Sequence, residues 1–488
     1  MDKDCIMGTS IVVLATSSNA GKTFLCSCLC KIARNIGLRV APFKAQNMGV
    51  ASFKGHGQVG RINVAQWVQA VASNRLSSSD FNPFWIKPVG ERMSQLYVEG
   101  GLARCKFTYP SSRRFRARMR VKIIDKINYL KDQNDLVVIE GAGSAIEANL
   151  TAFDIGNVWL AKRTLSMISL LVDMERGGAL TSIIGTHCLL PESDRQMING
   201  FFLNKFAGRI SLLNPGLRSL EQATNWPCLG TIPWIVEALK LPWEDSLSEQ
   251  YCWPNSKPMA IVVDILFGNG IEELNSLNLE ENLKVVLLRT VPSWIPKELR
   301  LIILPDSGSA ILTIKRLYQT KWVDYLIRAR MYGVLIVGIG AGFLAICSSF
   351  SWLGGLTWAD LKAFDNNMLC LEVPSYALQC SCRLLSTTFG AYPSIYAPCL
   401  QGIANSQGKW RQLIESTGLC YGIWNSNVWC IAVNGVFIND SFRSGLMRFI
   451  GVKPSKVVYE EYIQTTINNA AIKVAECIGT NLYRLFGL

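Results

Sequence analysis

Residues 10–23, Ser10-Ile-Val-Val-Leu-Ala-Thr-Ser-Ser-Asn-Ala-Gly-Lys-Thr23, run from an apolar, β-branched segment into a turn of small residues that closes on Gly21-Lys22-Thr23. The apolar run fits a buried strand, and a small-residue turn before a helix lets backbone N–H groups converge on phosphate oxygens. In that reading Lys22 adds a point charge beside the β- and γ-phosphates and the Thr23 hydroxyl ligates magnesium. ATP with Mg2+ is the expected ligand, and Thr16, Ser17, Ser18, Asn19, Ala20, Gly21, Lys22 and Thr23 are its expected cradle.

The usual pattern places a glycine five residues before Gly21, where Thr16 stands. The next segment suits such a loop nonetheless: Phe24-Leu-Cys-Ser-Cys-Leu-Cys-Lys-Ile-Ala-Arg34 has no Gly or Pro and spaces its apolar residues as a helix does. The competing reading is an ordinary strand-to-helix turn with a chance Gly-Lys-Thr.

Working outward, further strand-like runs stand at Leu136 to Ile139, Met167 to Val172 and Gly200 to Asn204, with helical patterns between them. That alternation predicts α/β architecture, a doubly wound parallel sheet with its ligand at the carboxyl ends of the strands. Residues 237–258, rich in Pro, Trp, Ser and acidic side chains, read as a linker. A second alternating series begins at Met259-Ala-Ile-Val-Val-Asp264 and continues through Val285 to Leu288, Leu301 to Leu304 and Val334 to Ile339. The expectation is two doubly wound domains, 1–236 and 259–488.

The bulk properties agree. At 488 residues with 49% hydrophobic content the chain can bury more than one core, since single domains usually stop growing at about 250 to 300 residues. The formal charge of +13 favours anionic partners without choosing among nucleic acid, a membrane surface and a polycarboxylate metabolite. Arg113, Arg114, Arg116, Arg118, Arg120 and Lys122 crowd one stretch with few aromatic residues between them, so a solvated helix face or a dock for an acidic metabolite is expected there, not nucleic acid. Residues 331–359 carry no charge, yet Gly333, Gly338, Gly340, Gly342, Gly354 and Gly355 divide them, and a buried strand-turn-helix is expected in place of a membrane span. The 16 cysteines are scattered, and the chain opens Met-Asp-Lys-Asp with no signal-peptide pattern, which predicts a reduced, cytoplasmic protein. Neither Cys26, Cys28 and Cys30 nor Cys380 and Cys382 have zinc-site spacing, so buried apolar thiols are expected.

Four further blocks fall into a recognisable order: Ala41-Pro-Phe-Lys-Ala-Gln-Asn-Met48, Val138-Ile-Glu-Gly-Ala-Gly-Ser144, Asp173-Met-Glu-Arg-Gly-Gly178 and Asn204-Lys-Phe206. Together with the loop they resemble the successive blocks of cobyric acid synthase, closely in the first half, while the second half shows the outline of a class I glutamine amidotransferase. The resemblance implies a dethiobiotin synthetase-like P-loop domain and a place in cobalamin biosynthesis. It also implies conversion of four side-chain carboxylates of a corrinoid, adenosylcobyrinic acid a,c-diamide, to amides. Carboxylates are poor acyl donors, so ATP first makes an acyl phosphate that ammonia attacks, a step needing charge neutralisation and positioning. Lys22 and Lys44 are the candidates for neutralising the phosphoryl group, and Thr23 and Glu140 for holding magnesium. By resemblance Asn204 helps to read the adenine, and Gln46, Asn47, Asp173 and Arg176 border the substrate region. A structural ion pair is the competing reading for Asp173 and Arg176, and an exposed strand-end lysine for Lys44.

The second half departs from the family. The nucleophile elbow, a Gly-Ile-Cys-Gly-Gly-Tyr type, aligns with Gly338-Ile-Gly-Ala-Gly-Phe343, which puts Gly340 where the cysteine belongs. The catalytic histidine aligns with Asn434 in Ala432-Val-Asn-Gly435, and His56 and His187, the two histidines of the chain, both belong to the first half. Cys347 has no histidine partner to generate thiolate. Glutamine hydrolysis is therefore expected to be lost, with nitrogen arriving as free ammonia or from a separate glutaminase. Alternatives are a related ligase such as cobyrinic acid a,c-diamide synthase, a decayed copy, or a non-catalytic partition-type ATP switch, although Ser17 and Ser18 stand where such switches add a lysine.

Overall fold

The computed structural model describes residues 8–49, 52–53, 62–90, 93–103, 113–146, 154–175, 177–242, 257–265, 271–307, 310–346, 384–387, 390–393, 411–416, 419–431 and 435–487. One sheet holds six strands in the order Cys228–Pro233, Ile198–Phe206, Met167–Asp173, Thr9–Ala15, Leu136–Glu140, Val40–Phe43, all neighbours parallel. Thr9–Ala15 takes an inner place because it is apolar on both faces. Ile11, Val13 and Ala15 enter a core shared with Leu25, Cys28 and Leu29 of helix Lys22–Asn35, while Val12 and Leu14 enter another with Met119, Ile123 and Ile127 of helix Arg113–Gln133. The strand-period alternation thus feeds two helical layers, the doubly wound arrangement expected. Cys26, Cys28 and Cys30 are buried in the first of these cores, where burial pushes their thiols up, that of Cys30 to about 12.

A second sheet has nine strands. Lys284–Leu288, Met259–Val263, Leu299–Leu304, Leu335–Ile339 and Val428–Ile431 are parallel neighbours, and Leu419–Asn425, Arg411–Ser416, Leu384–Thr387 and Gly390–Pro393 extend the sheet antiparallel. The uncharged stretch enters this sheet as strand Leu335–Ile339 and helix Ala341–Ile346; its residues from 347 onward, Cys347 included, lie outside the described set, as do Cys380 and Cys382. Among the described residues no helix is long and apolar enough to cross a membrane.

Two features had no counterpart in the sequence reading. Gln46–Met48, Phe84–Gly90, Met93–Val98 and Gly101–Leu102 form a separate four-stranded sheet. And helix Tyr459–Ile478, late in the chain, packs on the first sheet: Tyr459, Ile463, Ile467, Ala471, Val474 and Ile478 join the core of helix Lys22–Asn35, spaced as one helical stripe. The tail is steered there by Arg443, whose buried guanidinium pairs with Glu280 at 2.8 Å and donates to the Val457 carbonyl at 2.9 Å.

Cations on helix Arg113–Gln133 are partly paired. Lys122 and Lys126 meet Glu99 and Asp80 at 2.7 and 2.6 Å, and Arg120 lies 4.6 Å over the Trp159 ring while donating to the Asp154 carbonyl.

Candidate active site

The turn after Thr9–Ala15 lies at the carboxyl ends of the central strands. Its geometry depends on Gly21, which has φ +99° and caps helix Lys22–Asn35. A Cβ there would be forced into the left-handed region and would collide with the Asn204 side-chain amide. Asn204, near the end of strand Ile198–Phe206, the next but one in the sheet, donates to the Ala20 carbonyl at 2.7 Å, so it braces the loop from behind. Thr16 is fixed by its N–H to the Leu171 carbonyl at 3.0 Å, and Ser17, Ser18 and Asn19 are exposed, Asn19 at φ +61°. The loop is held at its base and open at its tip, as phosphate binding by backbone N–H groups requires.

Glu140 is the hub beneath the loop. It ends strand Leu136–Glu140, next to Thr9–Ala15, and is 2% exposed. Its Oε1 accepts from the Thr23 hydroxyl at 2.8 Å and from Lys44 Nζ at 2.9 Å, and its Oε2 accepts from Gln69 Nε2 at 2.5 Å. Burial alone would push this carboxyl up, but the Lys44 ammonium, the Thr23 hydroxyl and the Lys22 charge overcome it and hold it below its ordinary value. Lys44 follows strand Val40–Phe43 and is itself buried, which rules out the exposed strand-end reading. Lys22 donates to the Gly143 carbonyl at 2.6 Å, in the turn after Glu140. That turn is clamped by Asn157, whose amide accepts from Ala142 N at 2.8 Å and donates to the Ala142 and Ser144 carbonyls.

A hydroxyl, a carboxylate and two ammonium groups therefore converge from three segments far apart in sequence. Thr23 and Glu140 form a hard-oxygen pair of the kind magnesium takes, and Lys22 and Lys44 bring two positive charges to it. Thr23 Oγ1 and Glu140 Oε1 lie 2.8 Å apart, close enough for both oxygens to reach one cation.

The other candidates lie around this hub. Asn47, on strand Gln46–Met48, donates to Gln66 Oε1 at 2.8 Å, and Gln46 is its half-buried neighbour. Asp173 ends the strand beside the loop, and its Oδ2 pairs with Lys205 Nζ at 2.7 Å; the same ammonium donates to the Asn19 carbonyl at 2.9 Å. Arg176 lies outside the described residues. Gln66, Gln69, Asn157 and Lys205 were not singled out from sequence. The glutamines did leave a signal, two polar residues three apart in the otherwise apolar run Val64-Ala-Gln-Trp-Val-Gln-Ala70.

In the second sheet Gly340 follows strand Leu335–Ile339 at φ +52°, a sharp strand-to-helix turn with no side chain. Asn434 lies outside the described residues, and His187 sits in helix Ala179–Leu189 of the first half, its ring 4.9 Å from that of Trp226. Among the described residues no group of three or more His, Cys, Asp or Glu is placed to hold a metal ion.

Similarity to known proteins extends along the chain. The family described as the CobQ/CobB/MinD/ParA nucleotide binding domain matches residues 11–247. A cobyric acid synthase from Rhizobium etli (strain CIAT 652) is 31% identical over 478 residues, covering 95% of this chain and 96% of its own. One from Sinorhizobium fredii (strain NBRC 101917 / NGR234) is 28% identical over 500 residues, covering 99% and 100%. Among solved structures, a glutamine amidotransferase aligns with a TM-score of 0.31 at 14% identity, covering 39% of this chain and 99% of its own. With relatives matched from end to end and a nucleotide-binding family model spanning the loop, the chain belongs to the cobyric acid synthase family.

Proposed function

We propose that the chain makes cobyric acid, amidating side-chain carboxylates of adenosylcobyrinic acid a,c-diamide at the expense of ATP and magnesium. The observation that carries this reading is the convergence of Thr23 and Lys44 on the buried Glu140 carboxylate, directly beneath the Gly21-Lys22 turn. ATP supplies the phosphoryl group that turns an inert carboxylate into an acyl phosphate. Lys22 and Lys44 neutralise the oxygens around that group, Thr23 and Glu140 hold the metal, and the braced loop fixes the phosphates so that little reorganisation accompanies transfer. Asn204, beside its bracing contact, faces the adenine, and Gln46, Asn47, Asp173 and Arg176 border the corrinoid.

Nitrogen reaches the site as ammonia, free or from a separate glutaminase. The support is chemical: glycine at position 340 cannot form a glutamyl thioester, and neither His56 nor His187 belongs to the second half.

The test is to incubate the protein with ATP, magnesium, ammonium and the corrinoid diamide and to weigh the product. Each hydroxyl replaced by an amino group shifts the mass by the same decrement, so the spectrum counts amides. Product in ammonium and none in glutamine is the expected result. An unchanged corrinoid in ammonium, with nucleotide bound, would reject the ligase reading, and equal rates with glutamine would reject the lost glutaminase.

A further inference from the structure

Gln66 and Gln69 lie one turn apart on helix Val64–Ala72, all nine residues of which are buried. Primary amides in a dry, apolar helix are unfavourable unless they find partners. Here the partners lead to one group. Gln69 Nε2 donates to Glu140 Oε2 at 2.5 Å, Gln66 Nε2 approaches the same oxygen at 3.5 Å, and Asn47 Nδ2 donates to Gln66 Oε1 at 2.8 Å. Thr23 and Lys44 take the opposite oxygen, Oε1. The carboxylate is divided, amides on one side and the loop hydroxyl with the ammonium on the other.

Gln69 also shows what enforces the arrangement. Its own Oε1 is buried and has no hydrogen-bond partner among the described residues. Flipping the amide would press that oxygen against the carboxylate, so Glu140 dictates the orientation and the carbonyl is left unsatisfied. An apolar side chain of the same length would avoid that loss but would take the donor from Glu140 Oε2, so what the glutamine serves is the carboxylate and not the apolar packing around it.

We infer that Gln69, backed by Gln66 and Asn47, is a positioning residue that pins Glu140 Oε2 so that Oε1 alone turns toward Thr23 and the magnesium of the nucleotide. The inference rests on the reading of Glu140 as a metal ligand. Carboxylates that bind metal are commonly oriented by such outer hydrogen bonds, and losing one typically weakens metal binding by about 10- to 100-fold. Without Gln69 the carboxylate plane loses its main restraint on the Oε2 side and can turn about its terminal bond, away from the orientation that faces Thr23.

The experiment measures ATP binding by calorimetry on the full chain, in EDTA and across a magnesium series, for the parent, Gln69→Met and Gln66→Met. Methionine keeps length and apolar fit, and circular dichroism with a thermal midpoint reports folding. For Gln69→Met the expected result is metal-free ATP affinity close to the parent's, with a magnesium requirement raised about tenfold or more. Gln66→Met, on the longer contact, shows a smaller rise. A folded Gln69→Met protein with the parent's magnesium requirement overturns the inference, and so does one that loses metal-free and metal-bound affinity alike, which marks a packing role. Should Gln69→Met not fold, Asn47→Ala replaces it: a raised magnesium requirement supports the inference and an unchanged one overturns it. A parent that takes up no nucleotide at all rejects the loop reading itself, an outcome distinct from these.

Discussion

The Asp306 carboxylate accepts the Ala341 N–H at 3.0 Å and closes the space beside Gly340, where a Cβ would fall 2.6 Å from Asp306 Cγ. The N–H just after a nucleophile elbow is the donor that steadies an oxyanion in acyl transfer. Here a carboxylate takes that N–H, so on the proposed alignment position 340 lacks a free oxyanion donor as well as a thiol. On that proposal a thiol alone is not enough for glutamine hydrolysis. Gly340→Cys is expected to release no glutamate from glutamine and to lose stability, by about 1 to 2 kcal/mol for the left-handed backbone alone, read as a lowered urea midpoint. Glutamate release by this single variant would contradict the argument.

Lys22→Ala separates chemistry from folding. The Lys22 ammonium donates to the Gly143 carbonyl, and a hydrogen bond of this kind is worth about 1 kcal/mol net. The thermal midpoint should fall by no more than a few degrees, whereas ammonia-dependent amidation should drop by about a hundredfold or more, since the proposed role puts this charge where phosphoryl charge develops. Parent-like amidation by a folded variant would take the loop out of the mechanism.

Much of this fold is legible in the sequence alone. The run to Gly21-Lys22-Thr23 yields strand, turn and helix in their observed places because strand period, small residues and helical spacing are all local signals. Lys44 and Glu140 were reachable through family blocks, but their 2.9 Å pairing was not, because it joins segments 96 residues apart. Gln66 and Gln69 were missed for a different reason: an apolar helix reads as core, and polar residues within it stand out only once the carboxylate they face is known. The placement of the tail helix was not legible because its stripe from Tyr459 to Ile478 says that it packs, and not on what.

The Lys44–Glu140 pair should show strong coupling. Side-chain exposures of 7% and 1% mean that Lys44→Met leaves a buried charge without its main partner, a loss of about 3 to 5 kcal/mol. Lys44→Met with Glu140→Gln should cost well under the sum of the two single changes in a urea double-mutant cycle. The pH dependence comes from the depressed Glu140 carboxyl. Such a group adds stability that is fully present above its unfolded value, about 4.3, and is lost as pH falls through its lower folded value. Parent and Glu140→Gln should therefore differ most near neutrality and converge in acid; a constant gap from pH 7 to pH 3 would contradict the pairing.

Thiol labelling should follow burial. Cys26, Cys28, Cys30 and Cys430 are buried, with burial pushing each thiol up, while Cys188 is exposed. Only the thiolate reacts with iodoacetamide, so peptide mapping at pH 8 should find Cys188 alkylated and those four untouched until denaturant is added. Labelling of Cys28 in the native protein would contradict the packing of helix Lys22–Asn35.

The tail helix ties its own stability to that of the nucleotide loop. Ile467 is fully buried against the layer formed by helices Lys22–Asn35 and Val64–Ala72, and the Tyr459 ring lies 5.7 Å from that of Trp67. Ile467→Ala removes buried methyl groups from this seam and should destabilise the protein by about 2 to 5 kcal/mol. Since helix Lys22–Asn35 carries Lys22 and Thr23, and helix Val64–Ala72 carries Gln66 and Gln69, the three helices should open together as one cooperative unit. Hydrogen exchange in the variant is expected to lose protection across all three, with strand Met259–Val263 of the second sheet retaining its own. Loss confined to Tyr459–Ile478 would mean that the helix merely rests on the first core. Loss that spreads to the loop helix would mean that late residues of the chain set how firmly its first motif is held.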